Sequence, residues 1–468
     1  MNGAGRMLAK ALGVACALLA LAVLPTCGET PAHAREGTNV VLIVVDTLRA
    51  DHLEQFGYRR PTGRALRAFA DQATRFDVCY APSPWTTPST ATILSGLHPV
   101  RHGSTVQGAA LNADVASLAE IVSDAGWQTA GFSFNHNVSP TSRFDQGFDR
   151  FDAFEGRATA YPHISEMVGS VSRWLDRELA GPFLLYMQPM NTHGPYLVPE
   201  DRQADLHGRA AMGGFEYYGK RMKDILKRGK VEQRKAVSAG MVSSLVEKYD
   251  SAVRYTTDEL GRVLDDLKDR GLYDNSIIIL TSDHGEELFE HGGFSHGYSL
   301  HREVLHVPLF IKLPGQDEAR VVKTPVSLED IHPTVVELLD LPLPYAVDGR
   351  SLVPLLTGAP PAETAEREFL FHVSWDKRCV ARSVQRGRFK LVHTERDYAG
   401  TRDEYALYDL QIDPGETSDL SALEPDLVAE LRAVMERRFG EHARASFGPP
   451  DLVTDQMDTE TLRRLGYL

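Results

Sequence analysis

Apolar runs of strand length alternate with helix-like segments along most of the chain. Residues 39–45, 129–134 and 183–188 are largely apolar runs. A helical pattern over residues 253–270 leads into the β-branched run at 276–281. Runs of this kind are typical of strands buried on both faces, as in parallel sheets that are covered by helices. The alternation therefore predicts an α/β fold in which helices sandwich a largely parallel sheet.

A further helical pattern covers residues 115–125. Asp114 is placed to cap its N-terminus, and Gly126 is placed to end it. The predicted strand at 129–134 follows at once, so this segment adds another helix-then-strand step.

A composition break at residues 357–361 (TGAPP) and the charged stretch after it predict a linker. We therefore divide the chain after its leader into a catalytic domain at 35–360 and a C-terminal α+β subdomain at 361–468. The subdomain is predicted to hold a small antiparallel sheet and a packing helix, from strand-like runs at 369–373, 389–392 and 405–410 and a helical pattern at 424–439.

Residues 1–34 have the features of a cleaved signal peptide. Arg6 and Lys10 precede a short apolar stretch, and residues 32–34 (AHA) fit a signal-peptidase site. We expect export to the periplasm or cell envelope, with no transmembrane span in the mature chain. The alternative is a lipoprotein, lipid-anchored through Cys27, because residues 24–27 (LPTC) loosely resemble a lipobox.

Length and charge limit the class of protein. A chain of 468 residues with 43% hydrophobic residues can bury a large core. Its net charge of -14 has no basic stripe, which argues against nucleic acid or anionic lipid as the main partner. Outside the leader only Cys79 and Cys379 remain, and they could form a disulfide or stay buried thiols.

Polar residues able to do chemistry follow three of the predicted strands. Asp46 follows the first strand, His193 comes shortly after the strand at 183–188, and Asp283 and His284 follow the strand at 276–281. Open α/β sheets bind ligands beyond the carboxyl ends of their strands. We therefore expect these side chains to meet in one site.

Histidine is unusually dense after Asp283 and His284. An adjacent carboxylate and imidazole can reach one cation if the backbone turns sharply, and Gly285 allows such a turn. The pattern indicates a divalent metal site. Further acidic and imidazole groups lie just downstream, at Glu286, Glu287, His291, His296 and His301.

These residues resemble the sulfatase family of the alkaline-phosphatase superfamily. Residues 39–51 (NVVLIVVDTLRAD) look like the family's opening strand and first metal ligand. Residues 86–90 (TTPST) with 94–96 (LSG) are similar to the signature in which Cys or Ser, any residue, Pro, Ser and Arg lead to Leu-Thr-Gly. The later blocks follow in the family's order, at residues 193–196, 282–287, 303–308, 387–391 and 405–416.

Thr86 departs from the sulfatase pattern. It stands where the family has the Cys or Ser that becomes formylglycine, and Thr90 replaces the Arg of the maturation signal. Threonine has a secondary side-chain carbon, so its oxidation would give a ketone and not an aldehyde. The resemblance therefore implies an unmodified Thr86 nucleophile, as in the phosphodiesterase and phosphoglycerol-transferase branches.

The resemblance also implies a metal shell of Asp46, Thr86, Asp283 and His284. Thr47 stands where sulfatases commonly have another ligating Asp. One Mn²⁺, Zn²⁺ or Mg²⁺ ion suits an imidazole-containing shell better than Ca²⁺, although Ca²⁺ remains possible.

His193 and His296 are placed by the resemblance to bind the ester's non-bridging oxygens or to protonate the leaving group. The expected substrate is a small-molecule, glycan-linked or lipid-linked phosphate or sulfate ester, with a phosphodiester favoured because no fixed Lys or Arg is present. One alternative is a sulfuric ester hydrolase, a sulfatase proper. The other is a non-catalytic envelope protein that binds ligands on the same fold.

Overall fold

The computed structural model describes residues 37–106, 108–153, 163–199, 202, 237–358, 368–375, 379–397 and 400–442. The predicted leader lies outside these residues, as does most of the predicted linker. The division at residue 360 therefore stays a prediction. No helix in the described ranges is long and apolar enough to cross a membrane.

Fifteen strands and ten α-helices lie within the described residues. The strands are β1 (Asn39–Val45), β2 (Thr74–Tyr80), β3 (Gln128–Ser133), β4 (Arg150–Asp152), β5 (Phe183–Gln188), β6 (Ser276–Ser282), β7 (Glu287–Leu288), β8 (Phe294–Ser295), β9 (His306–Lys312), β10 (Arg320–Val322), β11 (Val326–Ser327), β12 (Leu370–Trp375), β13 (Val380–Arg386), β14 (Phe389–Asp397) and β15 (Gly400–Asp409). The helices are α1 (Arg67–Ala70), α2 (Thr86–Ser95), α3 (Pro99–His102), α4 (Leu118–Asp124), α5 (Ile164–Arg177), α6 (Ala239–Asp269), α7 (Arg302–Leu305), α8 (Ile331–Leu338), α9 (Val353–Thr357) and α10 (Pro425–His442).

A nine-stranded sheet forms the centre of the molecule. Its order is β10-β2-β9-β6-β1-β5-β3-β4, with β11 beside β2. Strands β6, β1, β5, β3 and β4 run parallel to one another, and β9 is antiparallel to both of its neighbours. Every residue of β1, β5 and β6 is buried. The continuous apolar runs thus mark strands covered on both faces, which confirms the predicted α/β sandwich.

Two hydrophobic clusters cover the two faces of this sheet. One contains side chains of α2, α4 and α8, and the other contains side chains of α5 and the long helix α6. Alternate residues of β1 point into each cluster: Val40, Leu42 and Val44 into the first, and Val41, Ile43 and Val45 into the second. This alternation follows from the pleat of a strand.

The C-terminal region forms a second, antiparallel sheet of four strands in the order β12-β13-β14-β15. Helix α10 packs on it through Leu431, Met435 and Phe439. The predicted sheet-plus-helix architecture is confirmed, but β13 was not predicted. Its sequence, VARSVQR, is largely polar and carries a weaker apolar pattern than its neighbours.

The helix expected at residues 115–125 is shorter than the prediction. Helix α4 begins after Ser117, and not after Asp114, because Ser117 and Glu120 form a reciprocal capping box. The long helix α6 begins fourteen residues before the predicted 253, at Ala239, with Ser238 as its N-cap. The two cysteines are both buried and are not joined in a disulfide, so the buried-thiol alternative holds.

Candidate active site and metal centre

Three predicted metal ligands meet at the carboxyl ends of β1 and β6. These strands are adjacent and parallel, and Val45 is in register with Ser282, so Asp46 and Asp283 emerge side by side. One ligand atom from each of Asp46, Asp283 and His284 lies within 4.8 Å of the others, and all three side chains are buried. The structure therefore brings these three side chains together beyond the ends of two neighbouring strands.

The chemistry of this donor set fits a divalent cation. Burial raises the pKa of Asp46 well above its usual value, and the nearby Asp283 raises it further. Oδ1 of Asp46 is buried and accepts no hydrogen bond from the described residues. Two buried carboxylates with an unsatisfied oxygen are costly without a positive partner, which a bound cation would provide.

Backbone and side-chain donors fix the orientation of Asp283. Its Oδ1 accepts from the backbone N–H of Thr47 at 3.2 Å and of His284 at 2.8 Å. Thr47 adopts a left-handed backbone conformation, with φ of 58°, and its hydroxyl donates to the carbonyl of Asp46 at 2.7 Å. Thr47 therefore shapes the site through its backbone, and its hydroxyl is engaged by the Asp46 carbonyl.

Thr86 lies beside this centre as the first residue of α2. Its Oγ1 is 3.2 Å from Nε2 of His284. The N-terminus of α2 carries the partial positive charge of a helix start, which favours a bound anion. Nε2 of His102 contacts the carbonyl of Pro88 at 3.2 Å and thereby supports the first turn. The nucleophile candidate is thus held on a rigid element next to the cation site.

Asn135 is a site residue that the sequence prediction missed. Its Nδ2 donates to Oδ2 of Asp46 at 2.5 Å and to Oγ1 of Thr86 at 3.4 Å. Asn135 comes two residues after β3, which neighbours β5 in the sheet. The signal that identified Asp46, a polar residue just beyond a buried strand, was weaker here, because an asparagine after a strand is also an ordinary turn residue.

Three imidazoles form one cluster, and one of them, His284, contacts Thr86. Besides His284, they are His193 and His296, whose ring centroids lie 5.0 Å apart. The ring of His296 also lies 4.4 Å from that of His284 and packs edge-on against Trp85 at 5.3 Å. The six site residues predicted from the sequence are thus linked by short contacts into one group.

Two further titratable residues, His136 and Arg49, lie close to this group. Burial, with a smaller contribution from His193, lowers the pKa of His136 to about 3, so His136 is neutral near pH 7. The guanidinium of Arg49 donates to Asp51 at 2.8 Å and to the carbonyl of Glu286 at 2.9 Å. Arg49 thus links the loop after β1 to the loop after β6, which is a structural role.

The fold and this site together define an ester hydrolase of the alkaline-phosphatase-like superfamily. Within that class, the chain belongs to the sulfatase family. Residues 38–341 match the family described as Sulfatase, and residues 289–444 match the family described as N-sulphoglucosamine sulphohydrolase, C-terminal.

Relatives and solved structures agree with this assignment. The N-acetylglucosamine-6-O-sulfatase of Bacteroides thetaiotaomicron is 23% identical over 86% of this chain and 86% of that protein. The arylsulfatase K of Homo sapiens is 25% identical over 89% of this chain and 85% of that protein. These named relatives favour the sulfuric ester alternative over the phosphodiester preference.

Two solved structures show the shared fold. A protein solved with its substrate D-glucosamine-2-N,6-O-disulfate has a TM-score of 0.69 at 21% identity, over 88% of this chain and 99% of that one. The phosphonate monoester hydrolase of Agrobacterium radiobacter has a TM-score of 0.67 at 22% identity, over 86% and 96%. The same architecture thus carries both sulfur and phosphorus ester chemistry.

Proposed function

We propose that this protein is a metal-dependent hydrolase of monoanionic esters in which unmodified Thr86 is the nucleophile. The observation that carries the proposal is the position of Thr86 Oγ1. It lies 3.2 Å from Nε2 of His284, a proposed metal ligand, and 3.4 Å from the Asn135 amide that also donates to Asp46. A hydroxyl in this position shares its surroundings with the metal ligands.

The bound cation would be held by Asp46, Asp283 and His284, with Thr86 as a fourth ligand, and it would supply Lewis acidity at the hydroxyl and the ester oxygens. A single Mn²⁺, Zn²⁺ or Mg²⁺ ion is our preferred occupant, because the shell includes an imidazole. The protein's own contribution is orientation. Asn135 donates toward Thr86, and α2 directs its N-terminus at the incoming anion.

Threonine restricts how the covalent intermediate can break down. Attack by Oγ1 gives a phosphoryl or sulfuryl ester of Thr86. The side-chain carbon of threonine carries no second hydroxyl that could expel this group, so water must attack the phosphorus or sulfur atom in a second displacement. His193 and His296 would exchange protons with the leaving oxygen and this water, and the closeness of their rings supports this role.

The choice between ester classes rests on two different observations. Thr86 in place of a formylglycine precursor favours a phosphodiester or phosphonate monoester. The sulfatase names of the relatives favour a second candidate, a sulfate ester, and the sugar substrate of one structural neighbour suggests a sulfated glycan. Both classes present one negative charge to the site, in keeping with a single divalent cation.

A paired assay tests the proposal. Bis(4-nitrophenyl) phosphate and 4-nitrophenyl sulfate are supplied to the wild type, to Thr86→Ala and to Thr86→Ser, each with added metal. We expect metal-dependent turnover by the wild type that Thr86→Ala abolishes and Thr86→Ser retains in part. Faster turnover of the sulfate would establish the second candidate. Undiminished turnover by Thr86→Ala would refute the nucleophile assignment.

A further inference from the structure

The three imidazoles around Thr86 differ in the group that holds their Nδ1 atoms. Nδ1 of His193 lies 2.7 Å from the carbonyl of Gly194, and Nδ1 of His284 lies 2.9 Å from the carbonyl of Gly285. Nδ1 of His296 instead lies 3.1 Å from the carboxylate of Glu286. Among these three rings, His296 is therefore the one whose Nδ1 faces a side-chain carboxyl group and not a backbone carbonyl.

We propose that Glu286 is a positioning residue that acts through His296. By accepting the Nδ1–H, Glu286 fixes the tautomer and the orientation of the ring, so that Nε2 exchanges a proton with the leaving oxygen. This inference rests on the proposed function and adds the division of labour among its imidazoles.

Glu286 is itself held in place, which a positioning residue requires. Its backbone N–H donates to the carbonyl of Glu303 at 3.1 Å, and its own carbonyl accepts from Arg49 at 2.9 Å. A Cβ at the preceding Gly285 would lie only 2.0 Å from that Glu303 carbonyl, so this close backbone contact requires glycine. The carboxylate is 1% exposed and its bond to His296 is shielded from solvent.

Packing restricts the ring of His296 from its other sides. Trp85 packs edge-on against it, and the rings of His193 and His284 lie on the side of the reaction centre. A Cβ at Gly297, the next residue, would lie 2.0 Å from the Trp85 ring, so the chain passes as close to Trp85 as glycine permits. The ring therefore has little freedom to turn once Glu286 holds Nδ1.

Thr86 gives its hydroxyl proton to solvent as Oγ1 forms a bond to phosphorus or sulfur, the bond to the leaving oxygen breaks, and that oxygen takes the electron pair. The leaving oxygen receives the Nε2 proton of the doubly protonated His296 ring, while the Nδ1–H remains hydrogen-bonded to Glu286. In the second displacement, attacking water gives one proton to Nε2, and Thr86 takes up a proton from solvent as it leaves as the free hydroxyl.

The test compares two leaving groups, because help from an acid matters most when the leaving oxygen is basic. Phenyl esters and 4-nitrophenyl esters of the preferred class are assayed with Glu286→Gln. We expect kcat/KM for the phenyl ester to fall about 10- to 100-fold, and that for the nitrophenyl ester to fall less than about 3-fold. The bound metal content should remain that of the wild type.

Glu287→Gln is the matched control. Glu287 is a buried neighbour whose carboxylate accepts from the backbone of Gly293 at 2.7 Å, so its loss perturbs the same loop. We expect this variant to change kcat/KM for the phenyl ester and for the nitrophenyl ester by the same factor. The double variant Glu286→Gln/His296→Gln should have the same kcat/KM for the phenyl ester as His296→Gln alone, since the two residues act as one unit.

Nitrogen NMR of labelled histidine side chains gives a readout independent of activity. His296 should carry its proton on Nδ1 in the wild type and lose this preference in Glu286→Gln. An equal fall in kcat/KM for both esters in Glu286→Gln, or an unchanged His296 tautomer in that variant, would overturn the inference. The rates of the wild type and of Thr86→Ala test the proposed function separately. A failure of the nucleophile proposal can therefore be distinguished from a failure of the Glu286 proposal.

Discussion

At the scale of single residues, the site depends on polar side chains placed just beyond buried strands. Asp46, Asp283 and His284 could be predicted because two strongly apolar strands end directly before them. Asn135 could not be singled out in the same way. Nothing in the sequence showed that β3 lies beside β5, and an asparagine after a strand is also an ordinary turn residue.

Replacing Thr86 should abolish catalysis while the three other proposed ligands still hold the metal. We expect Thr86→Ala to lower kcat by at least about 10³-fold, because the nucleophile is lost. Thr86→Ser keeps the hydroxyl and should retain measurable activity. The measurement is single-turnover kinetics together with metal content. Full activity in Thr86→Ala would assign the attack to another group.

Replacing Asn135 should lower the rate through a lost donor. We expect Asn135→Ala to reduce kcat by about 10²-fold, in the range found when one preorganised hydrogen-bond donor is removed. Steady-state kinetics at saturating metal checks this. Asn135→Asp is the informative companion, since it supplies an acceptor of similar size and should bind metal yet stay slow. Wild-type rates in Asn135→Asp would show that donation toward Thr86 is unimportant.

At the scale of elements, the central strands and the C-terminal subdomain followed from apolar patterning, whereas boundaries depended on local chemistry. Strands β1 and β5 have the predicted bounds. Helix α4 was misplaced by three residues, because the reciprocal bonds of Ser117 and Glu120 outweighed the apolar periodicity. Strand β13 was missed, since its pairing with β12 and β14 is a tertiary property that its own polar sequence does not reveal.

A buried ion pair joins the C-terminal sheet to the loop that follows His296. Nζ of Lys390, on β14, lies 2.7 Å from Oε1 of Glu416 and also donates to the carbonyl of Leu300. Oε2 of Glu416 accepts from the backbone N–H of Arg302 at 2.5 Å. The second sheet thus anchors the chain between the site and α7.

Breaking this pair should destabilise the protein strongly. We expect Lys390→Met to lower the free energy of unfolding by about 3–5 kcal/mol, because a buried carboxylate is left without its partner. Denaturant unfolding measures the change. The double variant Lys390→Met/Glu416→Leu should recover much of the loss, since no isolated charge remains. A double variant as unstable as the single one would contradict the ion-pair account.

The same pair predicts a stability loss in acid. Burial alone would raise the pKa of Glu416, but Lys390 and His301 outweigh burial and hold the pKa well below its usual range. A carboxyl with a lowered folded-state pKa contributes stability above its unfolded value of about 4.3, and this contribution is lost as the pH falls further. Unfolding curves of the wild type should show this loss, and those of Glu416→Gln should show less of it.

At the scale of the whole molecule, an acidic protein is proposed to bind an anionic substrate. With a net charge of -14, long-range electrostatics does not attract such a ligand, so local positive charge must do so. The cation site and the N-terminus of α2 are the local sources. The fold could be predicted from sequence because the motifs that resemble the sulfatase family occur in the family's order along the chain. The ester class could not be predicted, because parts of the sequence, including residues 200–234, match no family block.

Metal binding should stabilise the fold and depend on pH. Metal removal leaves Asp46 and Asp283 buried together, and burial and mutual repulsion raise the pKa of Asp46. Binding must displace the proton that this raised pKa retains, so metal affinity should rise with pH and fall in acid. Added metal at 100 times its Kd should raise the free energy of unfolding by about 2.7 kcal/mol.

Calorimetric titration in buffers of different ionisation enthalpy checks this prediction. We expect protons to be released as metal binds, and Tm to rise with metal concentration. Asp46→Asn should bind metal more weakly and release fewer protons. Metal affinity that did not change with pH would contradict the proposed ligand set.

The central claim is that the hydroxyl of unmodified Thr86 attacks the ester. The most direct measurement is peptide mass spectrometry across Thr86 on enzyme quenched during turnover. We predict a threonine of unaltered mass in resting enzyme and, after quenching, a fraction that carries one phosphoryl or sulfuryl group on Thr86. An oxidised residue at position 86, or an adduct located on a different side chain, would contradict the account.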